Sequence, residues 1–418
     1  MSGKASTPPL QVRHQTLTLR SPLTAQQVEA WLAEHPGRAD DLVVEVPSAG
    51  RVALLGDAML LGLLALASQR GSRVTIRLGP ALSGLDEPAT SRRTSFLTTS
   101  LVGHALGQYA DDIITSTREE VSRETRAVQS ATLVQTQGLL LSGEAKSAVL
   151  DVWPSRYEEP VFDDIWLRSS PDAINSGLMR LLHRGLLGHD RPGSPVRHRQ
   201  LRQFLLQAME NVVDHGASDE GQASIPGIRY VSFRRPYAAD EQFDESGPRR
   251  AEGGSPYSDY LDRLSNALRQ QPSMRRSQKP NWTLIEVTVG DPGVGVAARM
   301  CGDAAVYEGS FDEELAYFAA AFPVTGTSKR GLGRGAGRGL PIMTRAVWQL
   351  GGLCVFRSGR IRAFKHFLDE GGSWTLDRFD EKDQAVYSFT DVNDKPLGRI
   401  AGTIVTFLVP WGLTPQAN

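Results

Sequence analysis

Apolar positions recur along the chain with two different periods. Between Leu201 and His215 they fall at Leu201, Phe204, Leu205, Ala208 and Val212, the spacing of a helix with one buried stripe. The opposite face carries Gln203, Gln207, Glu210, Asn211 and Asp214. A row of carboxamides and carboxylates differs from a merely solvated face, which would normally hold Lys and Arg. Nearer the N-terminus, strand and helix patterns alternate. They predict a strand over Val12–Leu19, a helix over Thr24–His35, a strand over Asp41–Val46, an apolar helix over Leu54–Gln69 and a strand over Ser72–Leu78. Such alternation points to a small α/β layer domain. Phe96, Leu97, Leu101 and Leu106 predict one further helix between Ser91 and Thr115.

The remaining segments are read the same way. A strand is expected near Ala131–Gln135 and a helix over Ser176–Leu187, with DVWPSRYEEPVFDDIW (residues 151–166) between them as a docking loop. GHDRPGSP (188–195) reads as a turn, because its prolines and glycines break a helix. Strands follow at Ile228–Phe233 and Trp282–Val289, the latter running on to Asp291. Pro236–Asn281 between them is polar and holds one helical pattern, Tyr257–Leu268. It is expected to be a solvated insertion or a partner-contacting loop. A helix from Leu340, a strand over Cys354–Arg357 and a closing strand over Gly402–Pro410 complete the series.

Composition narrows the classes. At 418 residues the chain exceeds one typical core, which implies two or three domains. A formal net charge of -1 gives no general attraction to nucleic acid or membrane surfaces. Two cysteines, Cys301 and Cys354, are too few for a disulfide framework and fit a reducing cytoplasm as buried thiols. The most apolar run, Val52–Ala67, contains Asp57 and is shorter than a membrane span, so a buried helix is expected there.

Two glycine-rich stretches carry candidate chemistry. Asp291–Gly295 (DPGVG) puts a carboxylate at a strand end ahead of a Pro-Gly turn; alone it could be a plain turn. In Thr325–Leu340 (TGTSKRGLGRGAGRGL) glycines alternate from Gly331 to Gly339, which suits neither a helix nor a packed strand. Its backbone N–H groups and the following helix N-terminus would favour an anion, as would Lys329, Arg330, Arg334 and Arg338. A triphosphate lid fits both features, and so does a flexible RG-type RNA-binding loop. Asn211 offers the hard oxygen that Mg²⁺ prefers while keeping most of its waters.

In order, these motifs resemble the GHKL or Bergerat-fold ATPase superfamily of gyrase, heat-shock-90 chaperones, MutL and histidine kinases. NVVDHG (211–216) looks most like the anti-sigma-factor serine kinases, and the likeness covers about residues 175–412. It implies an α/β sandwich with a mixed sheet and a glycine-rich ATP lid. It also implies an ATP·Mg²⁺ site built from Asn211, Asp214, His215, Asp291, Gly293, Gly295, Thr327, Ser328, Lys329, Gly333, Gly335, Gly337, Arg338, Gly339, Leu340 and Thr403, with Asn211 on the metal. In this family the Asp accepts a hydrogen bond from the adenine amino group. The family's hydrolytic branch has a general-base Glu four residues before the Asn. Here Gln207 stands there, and it takes no proton at neutral pH. Glu210 projects about 60° around the helix from it, as an alternative base or a partner for lid arginines. His215 either caps its helix or touches phosphate. His189, the only His followed by an acidic residue, sits in a turn and makes a poor phosphoacceptor.

The first block resembles the STAS fold of sulfate transporters and anti-sigma antagonists, through LVVEV (42–46), the Leu-rich helix and RVTIRL (73–78). STAS antagonists carry a phosphorylatable hydroxyl at the start of that helix. The matching ALLGDAM (53–59) has none, which tells against that switch. The expected division is a STAS-like α/β domain over 1–115, a connector over 116–175 and a GHKL ATPase domain over 176–418 with its insertion at 236–281. The expected activity is ATP-dependent signalling, by hydrolysis or phosphotransfer to a partner protein, and the expected partners are ATP and a second protein or a homodimer. The rivals are a non-hydrolysing nucleotide sensor and a DNA-associated ATPase of the MutL or MORC type. Neutral charge tells against the last, and no membrane insertion is expected.

Overall fold

The computed structural model describes residues 14–20, 23–36, 40–46, 55–78, 109–114, 147–154, 195–215, 228–234, 256–270, 283–323, 339–372, 379–380 and 382–411. The N-terminal pattern becomes β1 (His14–Thr18), α1 (Ala25–Glu34), β2 (Asp41–Val46), α2 (Gly56–Gln69), β3 (Arg73–Leu78) and β4 (Asp112–Ile114). The strands form a four-stranded parallel sheet in the order β1-β2-β3-β4. Along β2, Leu42, Val44 and Val46 are buried while Asp41, Val43 and Glu45 are half-buried, so one face is covered by helices and the other is largely open. Thr24 caps α1 by accepting from Gln27 N at 3.3 Å. Trp31 Nε1 ties the same helix to β1 by donating to Thr16 O at 3.0 Å.

β4 corrects one expectation. It ends the span where a helix was predicted, pairing Asp112–Ile114 with Thr75–Arg77. Phe96, Leu97, Leu101 and Leu106 lie outside the described residues, as do the strand at Ala131–Gln135 and the helix at Ser176–Leu187.

The second sheet is built from β5 (Ser147–Pro154), β6 (Ile228–Arg234), β7 (Thr283–Asp291), β8 (Leu353–Ser358), β9 (Ile361–Lys365), β10 (Asp391–Val392) and β11 (Thr403–Trp411). Its order is β10-β9-β8-β11-β7-β6-β5. Every neighbouring pair is antiparallel, so among the described residues this sheet is antiparallel rather than mixed as expected. The helices between β7 and β8 do make a crossover, but β11 inserts between those strands and runs against both. The parallel ladders all belong to the other sheet.

β5 is the second correction: DVWP, read as docking loop in a connector, ends a strand of this sheet. Its register shifts between Val149 and Asp151, and a bulge of that kind hides the period of two from sequence inspection. An edge strand also tolerates the terminal Pro154.

The helices are α3 (Pro195–His215), α4 (Pro256–Gln270), α5 (Val296–Cys301), α6 (Phe311–Ala320) and α7 (Gly339–Leu350), with a 3₁₀ turn at Ala304–Tyr307. α3 starts at Pro195, ahead of the apolar pattern, because proline is well placed in a first helical turn. α4 belongs to the supposedly solvated insertion, yet Tyr257, Tyr260 and Leu264 are buried. Tyr260 Oη donates to Gly351 O at 2.6 Å. Amphipathicity outweighed the polar flanks.

One apolar core joins α1, α2 and α4 to the four-stranded sheet and to Tyr230, Leu284, Leu353, Val355, Ile404 and Leu408 of the seven-stranded one. The other joins α3, α5, α6 and α7 to Ile285, Val287, Val289, Cys354, Phe356, Val405, Phe407 and Val409. The result is a stack of sheet, helices, sheet and helices. α2 is thus enclosed between the two sheets, and Ala58–Ala67 are buried throughout, as an all-apolar helix requires. Among the described residues, no helix is long and apolar enough to cross a membrane. Cys354 is buried as expected, whereas Cys301 is only half-buried.

Candidate active site at the helix-bearing end of the second sheet

Alternation along β7 sends Ile285, Val287 and Val289 to the face covered by α3 and α7. Asp291 continues that parity at the strand's end. Its Oδ1 accepts from Gly293 N at 2.8 Å, a turn that an Asx side chain favours. In the ladders Asp291 stands opposite Thr403, and Thr403 opposite Ser358. Three oxygen-bearing side chains therefore meet where three neighbouring strands end.

The backbone here admits no side chains. A Cβ on Gly402, whose φ is +67°, would lie 1.7 Å from Asp291 O. One on Gly295, at φ +88°, would lie 2.3 Å from Tyr307 Oη and 2.9 Å from Ser358 Oγ. Both glycines satisfy left-handed backbone and close approach together. Ser358 Oγ accepts from Val296 N at 2.9 Å, donates to Gly402 O at 3.2 Å and lies 3.3 Å from Thr403 Oγ1. Tyr307 Oη donates to Val294 O at 2.7 Å, and burial pushes its pKa up to about 12. This phenol is a fixed strut rather than an acid at neutral pH.

The other half of the site lies on α3. Leu201, Phe204, Leu205, Ala208 and Val212 are buried, and Phe204 stacks on Phe407 with centroids 4.5 Å apart. Gln207, Glu210 and Asn211 are left partly or fully accessible. Gly339, the first residue of α7, sits directly against them. A Cβ there would lie 3.1 Å from Asn211 Oδ1 and 3.4 Å from Gln207 Oε1. Asn211 Nδ2 lies 3.9 Å from Met343 Sδ. Gln207 Nε2 donates to Glu210 Oε2 at 2.9 Å, so Glu210 is held by the very residue that replaces the expected base.

Among the described residues no cluster of His, Cys, Asp or Glu could hold a metal ion by itself. A Mg²⁺ carried in on phosphates needs little more than one protein oxygen. Asn211 Oδ1, close against the bare backbone of a helix start, fits that demand.

Of the predicted site residues, the structure thus gathers Asp291, Gly293, Gly295 and Thr403 at one end and Gln207, Glu210, Asn211, Gly339 and Leu340 at the other. Asp214 and His215 fall in the last turn of α3, with their side chains outside the described set. Thr327, Ser328, Lys329, Gly333, Gly335, Gly337 and Arg338 lie outside the described residues. Sequence reasoning missed Ser358, Gly402 and Tyr307. Ser358 had a legible signal: it is the one hydroxyl on the parity of Cys354 and Phe356, at a strand end. In comparisons with known proteins, no family model matches the chain and no curated protein matches it in sequence.

Proposed function

We propose that the chain is a GHKL-type ATP-binding protein that works in signalling, with ATP·Mg²⁺ held between β7 and the facing ends of α3 and α7. The observation that carries this reading is the cradle at Gly339, where a helix start closes on Asn211 and Gln207 so tightly that a Cβ would lie 3.1 Å from Asn211 Oδ1. A helix N-terminus with bare backbone beside a side-chain amide oxygen suits a metal-bridged polyphosphate. Asp291, with Thr403 opposite it in the ladder, supplies acceptors for an exocyclic amine, which adenine carries and which guanine replaces at that position with a carbonyl. The first unit is the STAS-like partner domain in this reading. The glycine-rich stretch Thr325–Leu340 is the lid in the same reading, and two free thiols suit a cytoplasmic setting.

Within this reading Glu210 is the base that orients water or the acceptor hydroxyl, and Gln207 positions its carboxylate through their 2.9 Å hydrogen bond. Phosphoryl transfer depends chiefly on positioning and charge neutralisation. The same bond favours a second reading, a nucleotide sensor without turnover, because no carboxylate occupies position 207 itself.

The test follows γ-labelled ATP with Mg²⁺ through binding, phosphate release and protein labelling. Asp291→Asn replaces an acceptor with an amide and is expected to weaken ATP binding by about tenfold or more. Asn211→Ala is expected to remove the Mg²⁺ dependence. Turnover lost in Glu210→Gln identifies an enzyme. Binding without turnover, with turnover appearing in Gln207→Glu, identifies the sensor. A wild-type protein that binds no nucleotide would sink both readings.

A further inference from the structure

α2 is hydrogen-bonded to both segments that shape the Asp291 end of the site. At its C-terminal end, Gln69 Nε2 donates to Pro292 O at 2.5 Å, inside the Asp291–Gly295 turn. About two helical turns earlier, Gly62 O accepts from Ala401 N at 3.2 Å, next to Gly402 and Thr403. Those two segments touch each other, since a Cβ on Gly402 would strike Asp291 O.

The approach of α2 is close. A Cβ on Gly62 would lie 3.2 Å from Ile400 Cβ and Cδ1, and 3.5 Å from Ile404 Cδ1. Residues 59, 62, 66 and 69 share one stripe of the helix by their alternating spacing of three and four. The residue just before the helix is fastened too: Leu55 N donates to Glu286 Oε1 at 3.2 Å, on the same strand as Asp291. One helix of the first unit thus grips β7 below its middle, the turn at its end, and the entry to β11.

From this geometry we infer that α2 is the rear brace of the nucleotide site, with Gln69 and Gly62 as positioning residues that act through Pro292 and Ala401. This rests on the nucleotide reading for its ligand, and on the observed contacts alone for the brace. The Asp291 carboxylate is fixed by its own turn, and the Pro292 carbonyl is the next anchor along that turn. Without the Gln69 bond the turn loses its fastening on the side away from the ligand, so the carboxylate is less well aimed. Because binding and docking then share one element, nucleotide and the first unit stabilise each other reciprocally.

The experiment uses the full chain with three substitutions. Gln69→Met keeps the length of the side chain and removes the donor; Gln69→Lys restores a donor; Gly62→Val wedges α2 away from Ile400. Two quantities are read: amide exchange at Gly293–Val296 and Thr403 without nucleotide, and the affinities for ATP and GTP. In Gln69→Met, exchange at those amides is expected to quicken about fivefold, the free energy of one net hydrogen bond. ATP affinity is expected to fall by a similar factor, and the ATP-to-GTP preference to narrow. Gln69→Lys is expected to restore both, and Gly62→Val to exceed Gln69→Met. A role in stability alone would change the folded fraction and leave the preference between nucleotides intact. Unchanged exchange in both Gln69→Met and Gly62→Val overturns the brace, and so does loosened exchange with unchanged ATP affinity and preference. Wild-type protein that binds neither nucleotide strikes the proposed function and the positioning roles together; local exchange then decides only whether the brace exists.

Discussion

The two faces of the seven-stranded sheet come from the same strands and are buried in opposite styles. Toward α3 and α7 the sheet shows Ile285, Val287, Val289, Cys354, Phe356, Val405, Phe407 and Val409, and its polar groups Asp291, Thr403 and Ser358 wait at the strand ends. Toward the first unit it buries Glu286, Thr288, Thr406 and Arg357 among its apolar residues. Thr288 Oγ1 and Thr406 Oγ1 lie 2.9 Å apart. Arg357, 1% exposed, meets Glu29 of α1 at 2.8 Å. The first face holds itself together by dry packing, with Asp291 and Thr403 half-buried and Ser358 buried at its end. The second face places charges where only one docking register satisfies them. Paired buried charges contribute little net stability, but a wrong register would leave them unpaired.

The sharpest way to break this comparison is Phe204→Ala. It empties a fully buried position stacked on Phe407 and is expected to cost about 3–5 kcal/mol in urea unfolding. A loss below about 1 kcal/mol would mean that the helix face is not held by packing. Glu29→Ala is expected to cost about 2 kcal/mol, because it takes the carboxylate from a buried guanidinium that keeps its bonds to the Gly359 and Gly398 carbonyls. Replacing Glu29 and Arg357 together by Met should recover most of that loss. If the double variant is as unstable as the single one, the pair does not set the docking register of α1.

A smaller effect separates the faces by pH. His366 lies toward α4, with its ring centroid 5.7 Å from that of Tyr260. Burial, with Arg263 nearby, lowers its pKa to about 4. The unfolded chain therefore takes up the proton first as pH falls from about 6.5 to 4, and stability declines across that window. Lys365, on the parity of Ile361 and Ala363, has its Nζ 4.5 Å from the Phe367 ring centre and donates to the carbonyl of Ser388. Burial lowers its pKa to about 8, so stability is expected to rise as pH climbs from about 8 toward 10.5. Each slope is at most about 1.4 kcal/mol per pH unit. His366→Phe should flatten the acid limb alone and Lys365→Met the alkaline limb alone. A limb unchanged by its own substitution would remove that group from the account.

Much of this was legible because period and breakers are local properties. The stripe from Leu201 to Val212, the alternation of β2 and the strand ending at Asp291 all appear as the residues predict. Asn211 and Gly339 could each be singled out by residue type, yet their juxtaposition is a fact of packing between α3 and α7. The failures have local causes as well. A bulge between Val149 and Asp151 concealed β5. The helical pattern of α4 is legible at Tyr257–Leu268, but its polar flanks concealed its burial, since Tyr260 finds a partner at Gly351, far along the chain.

By itself the sequence determined most of the elements, though not β4 and β5, together with the all-round burial of α2, since these follow from side-chain spacing and backbone allowance. Tertiary structure alone decided that β11 inserts between β7 and β8, setting Thr403 beside Asp291, and that α2 fastens the Asp291 turn from behind. Strand order and the partner of a buried helix depend on contacts between residues distant in sequence, which no local period encodes.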